Sequence, residues 1–279
     1  MMRSTEPATK LVGSSARPFL KWAGGKNQLL PQLEPLLPKS FKRYHEVFVG
    51  GGAVFFSLAP ASARLTDLNA ELVDCYRAIR DDVEAVIKAL GKHRYDQEHF
   101  YAVRDVDPGK LSLADRAARM IFLNKTAFNG LYRVNSQGRF NVPFGRHKNP
   151  LICDASNLRA CSRVLASAEL EVADFAAVAK HARRGDFVYF DPPYVPLSET
   201  SYFTAYSAGG FGWDAQQRLA EVFRALAATR VKAMLSNSDT PAVRQLYAGF
   251  RIEVVAATRR INSQVDGRGL VDEVVVLNY

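Results

Sequence analysis

The apolar run Phe187-Val188-Tyr189-Phe190 ends against Asp191-Pro192-Pro193-Tyr194, and no other stretch constrains the fold of this chain so tightly. Aromatic and β-branched residues favour an extended strand. Each proline lacks an N–H, and the residue before a proline is pushed out of the helical region, so the strand must stop in a stiff turn. Open α/β sheets build their sites beyond the C-terminal ends of such strands. The turn presents the Asp191 carboxylate and backbone carbonyls with no competing donor at either proline. A planar amine could donate two hydrogen bonds there while its ring stacks on Tyr194. The plainer alternative is a proline-rich strand exit with a surface acid.

The rest of the pattern agrees with a sheet of this kind. Strands are expected at Glu46–Val49, Arg64–Thr66, Leu170–Val172, Phe187–Phe190, Lys232–Leu235, Arg251–Val255 and Glu273–Leu277. Helices are expected at Gln28–Leu36, Ala155–Ala166, Ala176–Ala182, Asp214–Ala228 and Pro241–Tyr247. Strands separated by helix-length segments predict an α/β fold with a mostly parallel sheet covered on both faces. Residues 70–150 break the rhythm. They read as helices at Ala70–Arg80, Val83–Leu90 and Ala114–Phe122, followed by a basic, turn-rich stretch with no sheet strand. The expected organisation is a disordered leader over 1–16, a principal domain from 17–69 and 151–279, and an inserted helical subdomain over 70–150.

The formal net charge of +9 favours a polyanionic partner, because neutralised phosphates release counterions. Cys75, Cys153 and Cys161 form no CxxC pair and read as free thiols of a reducing cytoplasm. No apolar run is long enough to span a membrane, and the polar start lacks the apolar core of a signal peptide.

Phe48-Val49-Gly50-Gly51-Gly52 follows the first strand, where glycines let backbone approach a ligand closely. The dinucleotide pattern GxGxxG fails at Phe55, which argues against NAD. Asp67 ends the second strand, placed either to bind ribose hydroxyls or to cap the helix that follows. Upstream, Pro18-Phe19-Leu20-Lys21-Trp22-Ala23-Gly24-Gly25-Lys26 lacks P-loop spacing, and Asn27 stands where Ser or Thr is needed, so an NTPase is not expected.

From Asn124 to Lys148 cations and asparagines alternate with Phe128, Tyr132, Phe140 and Phe144. Cations position phosphates, Asn and Arg read base edges, and an aromatic can wedge into a stack. A solvated basic loop would account for the charges but not for the aromatics.

Taken in order, Phe19–Lys26, Glu46–Gly52, Thr66–Asn69, Asn124–Arg146 and Phe187–Tyr194 resemble the motifs of Dam-type DNA adenine-N6 methyltransferases of the α class, also called D12. The resemblance runs from about Pro18 to the C-terminus. It implies a Rossmann-like S-adenosylmethionine-dependent methyltransferase sheet with an inserted target-recognition subdomain. It implies S-adenosylmethionine as cofactor, S-adenosylhomocysteine as product, and no metal. Trp22, Lys26, Phe48, Gly50, Gly52, Asp67, Asp174, Phe175 and Asp191 would hold the cofactor, although a helix N-cap explains Asp174 equally well. Asp191, Pro192, Pro193 and Tyr194 would act on the amine of a flipped adenine.

For DNA, the resemblance implies contacts from Lys21, Phe128, Asn129, Leu131, Arg133, Pro143, Arg146 and His147, with GATC as the site. Phe128 and His147 depart from the tyrosines that family members often carry. The implied partner is double-stranded DNA, acted on by a cytoplasmic, nucleoid-associated monomer, with a cognate restriction endonuclease as an admissible second partner. Protein-glutamine and cytosine methyltransferases share the fold but usually carry Asn or Ser at the position of Asp191. A DNA-binding module without activity would need no glycine loop.

Overall fold

In a computed structural model, which describes residues 15–194, 211–258 and 270–279, strands and helices alternate around one seven-stranded sheet. The strands are β1 (Tyr44–Glu46), β2 (Ala63–Asp67), β3 (Ala168–Val172), β4 (Phe187–Phe190), β5 (Lys232–Ser238), β6 (Arg251–Thr258) and β7 (Leu270–Leu277). Their order is β3-β2-β1-β4-β5-β7-β6. Strands β3, β2, β1, β4 and β5 run parallel, while β7 pairs antiparallel with both β5 and β6. The chain order reverses between β1 and β4, the crevice where sheets of this class bind ligands. Among the described residues this is the Rossmann-like α/β fold that the sequence pattern predicts. Most of the expected leader lies outside the described residues.

Strand β4 shows why the sheet is covered on both sides. All of its residues are buried. Phe187 and Tyr189 belong to one hydrophobic cluster, Val188 and Phe190 to the other, as period-two side chains on a two-faced sheet must. The first cluster is closed by α2 (Ala53–Leu58), α3 (Ala70–Asp81) and α7 (Ala155–Leu165). The second is closed by α8 (Val178–His181), α9 (Trp213–Ala228) and α10 (Pro241–Leu246).

Some boundaries differ from the sequence reading. Glu46–Val49 was expected as the first strand, but pairing spans Tyr44–Glu46, and beyond it the chain turns into the glycine loop. The expected helix Gln28–Leu36 is three short pieces: a 3₁₀ turn at Lys26–Gln28, α1 (Leu30–Leu33), and a 3₁₀ turn at Glu34–Leu36. Pro31 and Pro35 break it, because neither supplies the N–H that a continuous helix needs.

Between β2 and β3 lie α3, α4 (Val83–Leu90), α5 (Gln97–Asp105), α6 (Leu113–Thr126) and α7. Helix α5 is hidden in the sequence because only Phe100 and Val103 face the core, too few for a visible period. Its start is local chemistry: Asp96 accepts a hydrogen bond from the His99 N–H at 2.7 Å. Helix α6 is buried along most of its length and forms the axis of this bundle. After it comes a 3₁₀ turn at Phe128–Gly130 and a small hairpin, with Val134 bridged to Phe140 and Ala127 to Phe144.

Candidate active site

The C-terminal ends of β1, β2, β3 and β4 lie along one edge of the sheet and deliver the Val47–Gly52 loop, Asp67, Asp174 and Asp191 there. Asp191, directly after β4, is paired with a buried lysine. Its Oδ1 lies 2.8 Å from the Lys26 Nζ, and the two side chains are 18% and 3% exposed. The same ammonium donates to the Gly24 carbonyl at 2.7 Å and sits 4.6 Å from the centre of the Tyr194 ring. Burial holds the Asp191 carboxyl above its ordinary range, while Lys26 pulls it down. The Tyr194 hydroxyl donates to Glu273 Oε2 at 2.6 Å, which ties the ring to β7. Pro192 is buried and Pro193 exposed.

The glycine loop is shaped by close approach of side chains. Gly50 and Gly52 have φ of 45° and 68°, a region L residues avoid. A Cβ on Gly50 would lie 2.7 Å from the Trp22 ring, and one on Gly52 2.8 Å from the Tyr76 hydroxyl. Tyr76 also donates to the Gly50 carbonyl at 3.0 Å. The neighbours that require these glycines are therefore Trp22 and Tyr76, where the sequence reading had invoked a ligand alone. Trp22 in turn stacks on Tyr132, ring centres 5.1 Å apart, and the Tyr132 hydroxyl donates to Glu71.

Under this loop, Glu46 Oε2 accepts from the Tyr44 hydroxyl at 2.8 Å and from the Phe55 N–H at 3.1 Å. Helix α2 has no side-chain cap of its own at Gly52, so Glu46 serves one of its first-turn donors from a distance. Burial pushes this carboxyl up to about 8, with the Asp191 charge adding to the effect. The sequence places Glu46 at the head of the first strand and of the Glu46–Gly52 segment but assigns it no role. A lone acid at the head of an otherwise apolar strand was the available signal.

The alternative roles of Asp67 and Asp174 part company here. Asn69, not Asp67, caps α3, accepting from the Leu72 N–H at 3.1 Å. Asp67 instead accepts from the Gly50 N–H at 3.2 Å and the Asn69 N–H at 3.0 Å, which binds the end of β2 to the glycine loop. Asp174 does act as a cap, accepting from Ala176 N–H at 2.9 Å, and it also pairs with Arg218 at 2.5 Å. The Arg218 guanidinium lies 4.5 Å from the Phe175 ring, which stacks on Phe48 with ring centres 5.5 Å apart.

Joined to the Lys21-Trp22 stretch through Asn124 and Tyr132, the 124–148 segment presents a second group of side chains. Asn124 is fully buried and joins the two halves: its amide donates to the carbonyls of Lys21 and Gly130, and its oxygen accepts from the Lys21 N–H. The Lys21 side chain is exposed. Phe128 is 52% exposed at a turn where Asn129 takes φ 56°. Leu131 is half-buried, and Arg133 is exposed with its Nε donating to Asn141 Oδ1 at 2.8 Å. The exposed Pro143 accepts from the Phe128 N–H at 2.9 Å, and Arg146 is exposed.

Of the aromatics in this segment, only Phe128 stands out in solvent. Tyr132, Phe140 and Phe144 pack against Trp22, Tyr95 and Phe100, so they are core residues of the segment. His147 also has work inside the fold. Its Nε2 lies 2.9 Å from the Ala127 carbonyl, so that nitrogen is the donor, and its N–H donates to the Tyr95 hydroxyl.

Among the described residues no group of three or more His, Cys, Asp or Glu is arranged to hold a metal, and no helix is long and apolar enough to cross a membrane.

Comparison with known proteins places this site in context. Residues 22–261 match the model of the D12 class N6 adenine-specific DNA methyltransferases. The chain is 44% identical over 271 residues to the type II methyltransferase M1.LlaDCHI of Lactococcus lactis subsp. cremoris, covering 94% of this chain and 95% of that protein. It is 42% identical over 286 residues to the type II methyltransferase M.MjaIII of Methanocaldococcus jannaschii, covering 94% and 99%. It is 34% identical over 265 residues to the DNA adenine methylase of Salmonella typhi, covering 94% and 95%.

Proposed function

Because this chain belongs to the D12 class of N6 adenine-specific DNA methyltransferases, we propose that it methylates the exocyclic amine of an adenine swung out of duplex DNA, at GATC sites, with S-adenosylmethionine as the methyl donor. One observation carries the reading. The Asp191 carboxylate, paired with Lys26 and flanked by Tyr194, stands at the sheet's switch point beside the glycine loop.

The residues fit the donor. Asp67, held rigid by two backbone N–H groups, has lone pairs left for ribose hydroxyls. The stacked Phe48–Phe175 pair with Asp174 suits an adenine ring and its amine. Trp22, Lys26, Gly50 and Gly52 line the loop between them and Asp191. When bound, S-adenosylmethionine supplies an electrophilic methyl group on a sulfonium and leaves as S-adenosylhomocysteine.

The protein's own part is orientation and charge. An adenine amine is a weak nucleophile, because its lone pair is delocalised into the ring, and inside a duplex it cannot reach a donor. Asp191 and the Pro192 carbonyl accept its two N–H groups, which favours a pyramidal nitrogen, and Tyr194 stacks on the ring. The carboxylate holds the N–H whose proton must leave as the nitrogen becomes methylated. No covalent enzyme intermediate is needed.

Residues 70–150 form the target-recognition part, with 17–69 and 151–279 as the catalytic part. Phe128 and Asn129 fill the gap left by the base, and the exposure of Phe128 supports that role. Lys21, Leu131, Arg133 and Pro143 read the site, and Arg146 meets phosphate. His147 acts through its brace to Ala127. The enzyme works as a cytoplasmic monomer on double-stranded DNA, and the type II names of two relatives support a cognate restriction endonuclease beside it.

The test is to express the chain in a host lacking adenine methylation and map modified bases. Adenine-N6 methylation concentrated at GATC is expected. Methylation of adenine at other sequences would overturn the site assignment alone, and absence of methylated adenine would overturn the reaction.

A further inference from the structure

Two of the four residues in the Asp191–Tyr194 turn offer no backbone donor. Pro192 and Pro193 carry no N–H, so at these two positions the backbone can be held only through its carbonyls. One carbonyl is gripped: Gln216 Nε2 donates to Pro193 O at 2.9 Å. Gln216 lies in the first turn of α9 and is 1% exposed. Its Oε1 accepts from Asn237 Nδ2 at 3.0 Å, and Asn237 Oδ1 accepts from the Ser238 N–H at 2.9 Å.

This relay has one direction. A backbone N–H can only donate, so Ser238 sets which end of the Asn237 amide faces it. Asn237 then sets the Gln216 amide, and the Nε2 end is left facing Pro193. Two amides are thus buried beside the site where apolar side chains would fill the same space, as Leu219 and Phe223 do farther along α9. Burial of an amide is unfavourable unless each end is satisfied, and here the satisfied end points at the turn.

We propose that Gln216 is a positioning residue for methyl transfer: by holding the Pro193 carbonyl it aims the Pro192 carbonyl and the Asp191 carboxylate at the amine. The proposal rests on the role assigned above to Asp191–Tyr194. Gln216 is almost wholly buried and its amide faces Pro193 and Asn237, so its loss should lower turnover with little change in binding.

The experiment compares Gln216→Met, Gln216→Glu and Asp191→Ala with wild type at saturating DNA and S-adenosylmethionine. Methionine keeps the bulk without the donor. A fall in kcat of about 10- to 100-fold is expected, the scale of a misplacement of about 1 Å. KM for both substrates should stay within about threefold of wild type. Glutamate can donate to Pro193 only while protonated, so its activity relative to wild type should fall with rising pH. The same ratio for Gln216→Met should be flat. Wild-type kcat in Gln216→Met, with Asp191→Ala inactive, would remove Gln216 and leave the turn's role standing. An active Asp191→Ala would remove both. If Gln216→Met folds poorly, Gln216→Glu decides alone, and a pH-independent ratio overturns the proposal.

Discussion

The Lys26 ammonium touches both groups proposed to receive the adenine: it lies 2.8 Å from Asp191 Oδ1 and 4.6 Å from the centre of the Tyr194 ring. It is almost wholly buried, and Gly24 supplies a further acceptor. An ammonium so placed draws the Asp191 carboxyl down against the larger upward effect of its burial, since an opposite charge at this distance favours the charged form. It also fills, in this structure, the acceptor and aromatic face that a flipped base would use.

Lys26→Met should therefore move the acid limb of the rate profile. Burial raises the Asp191 carboxyl and Lys26 lowers it, so without the lysine the carboxyl titrates at higher pH. Turnover depends on the ionised form and should then fail at a higher pH than in wild type. The measurement is kcat against pH at saturating cofactor, because the variant should also bind cofactor less well. An acid limb that stays put or moves to lower pH would refute the coupling.

Asp191→Ala should abolish methyl transfer while cofactor and DNA binding persist to within about tenfold, since the carboxylate acts mainly on the reacting amine. The substitution also leaves the buried Lys26 with one fewer partner, so Asp191→Asn is a useful folded control. Near-normal turnover by a folded Asp191→Ala protein would sink the mechanism.

Glu46→Gln should stabilise the protein, and more so as pH rises. The Glu46 carboxyl stands at about 8 in the folded state against an ordinary 4.5. Its contribution to stability is fully present below the lower value and is lost as pH rises through the upper one. The neutral amide escapes that loss, which these two values put at roughly 4 kcal/mol at pH 8. Urea unfolding of the two proteins at pH 5 and pH 8 measures the difference. Equal stability gaps at both values would mean that Glu46 is ionised throughout.

Phe128→Ala should weaken base flipping and spare cofactor binding. Its ring is half exposed on a turn, so little core is lost. A wedge offsets an unstacking cost on the order of a few kcal/mol. The fluorescence rise of 2-aminopurine at the target position should shrink, while the gain in Tm on adding S-adenosylmethionine stays unchanged. An intact fluorescence rise would assign the gap to another side chain.

Much of this protein is legible in the linear chain because it rests on short-range rules. The apolar run ending at Asp191-Pro192-Pro193-Tyr194 dictates a strand and a stiff exit, and the alternation of strand and helix lengths dictates a sheet covered on both faces. Even Asp67 at the end of β2 follows from counting along that pattern. Helix α5 escaped because its amphipathic stripe is too thin, and the 124–148 aromatics misled because a ring at a turn reads the same whether it points into solvent or core.

What remained was decided by contacts between segments far apart in sequence. That Lys26 meets Asp191, that Asn124 ties Lys21 to Gly130, and that Gln216 grips Pro193 depends on strand order and helix docking, which bring those side chains within hydrogen-bond reach. The sheet order itself, with β1 and β4 as neighbours at the switch point, is such a long-range fact. The chain by itself determined which chemical groups would stand at strand ends, because propensity and proline geometry act locally. Only the tertiary structure decided which of them are paired, buried and aimed, because burial and pairing are properties of the assembled neighbourhood.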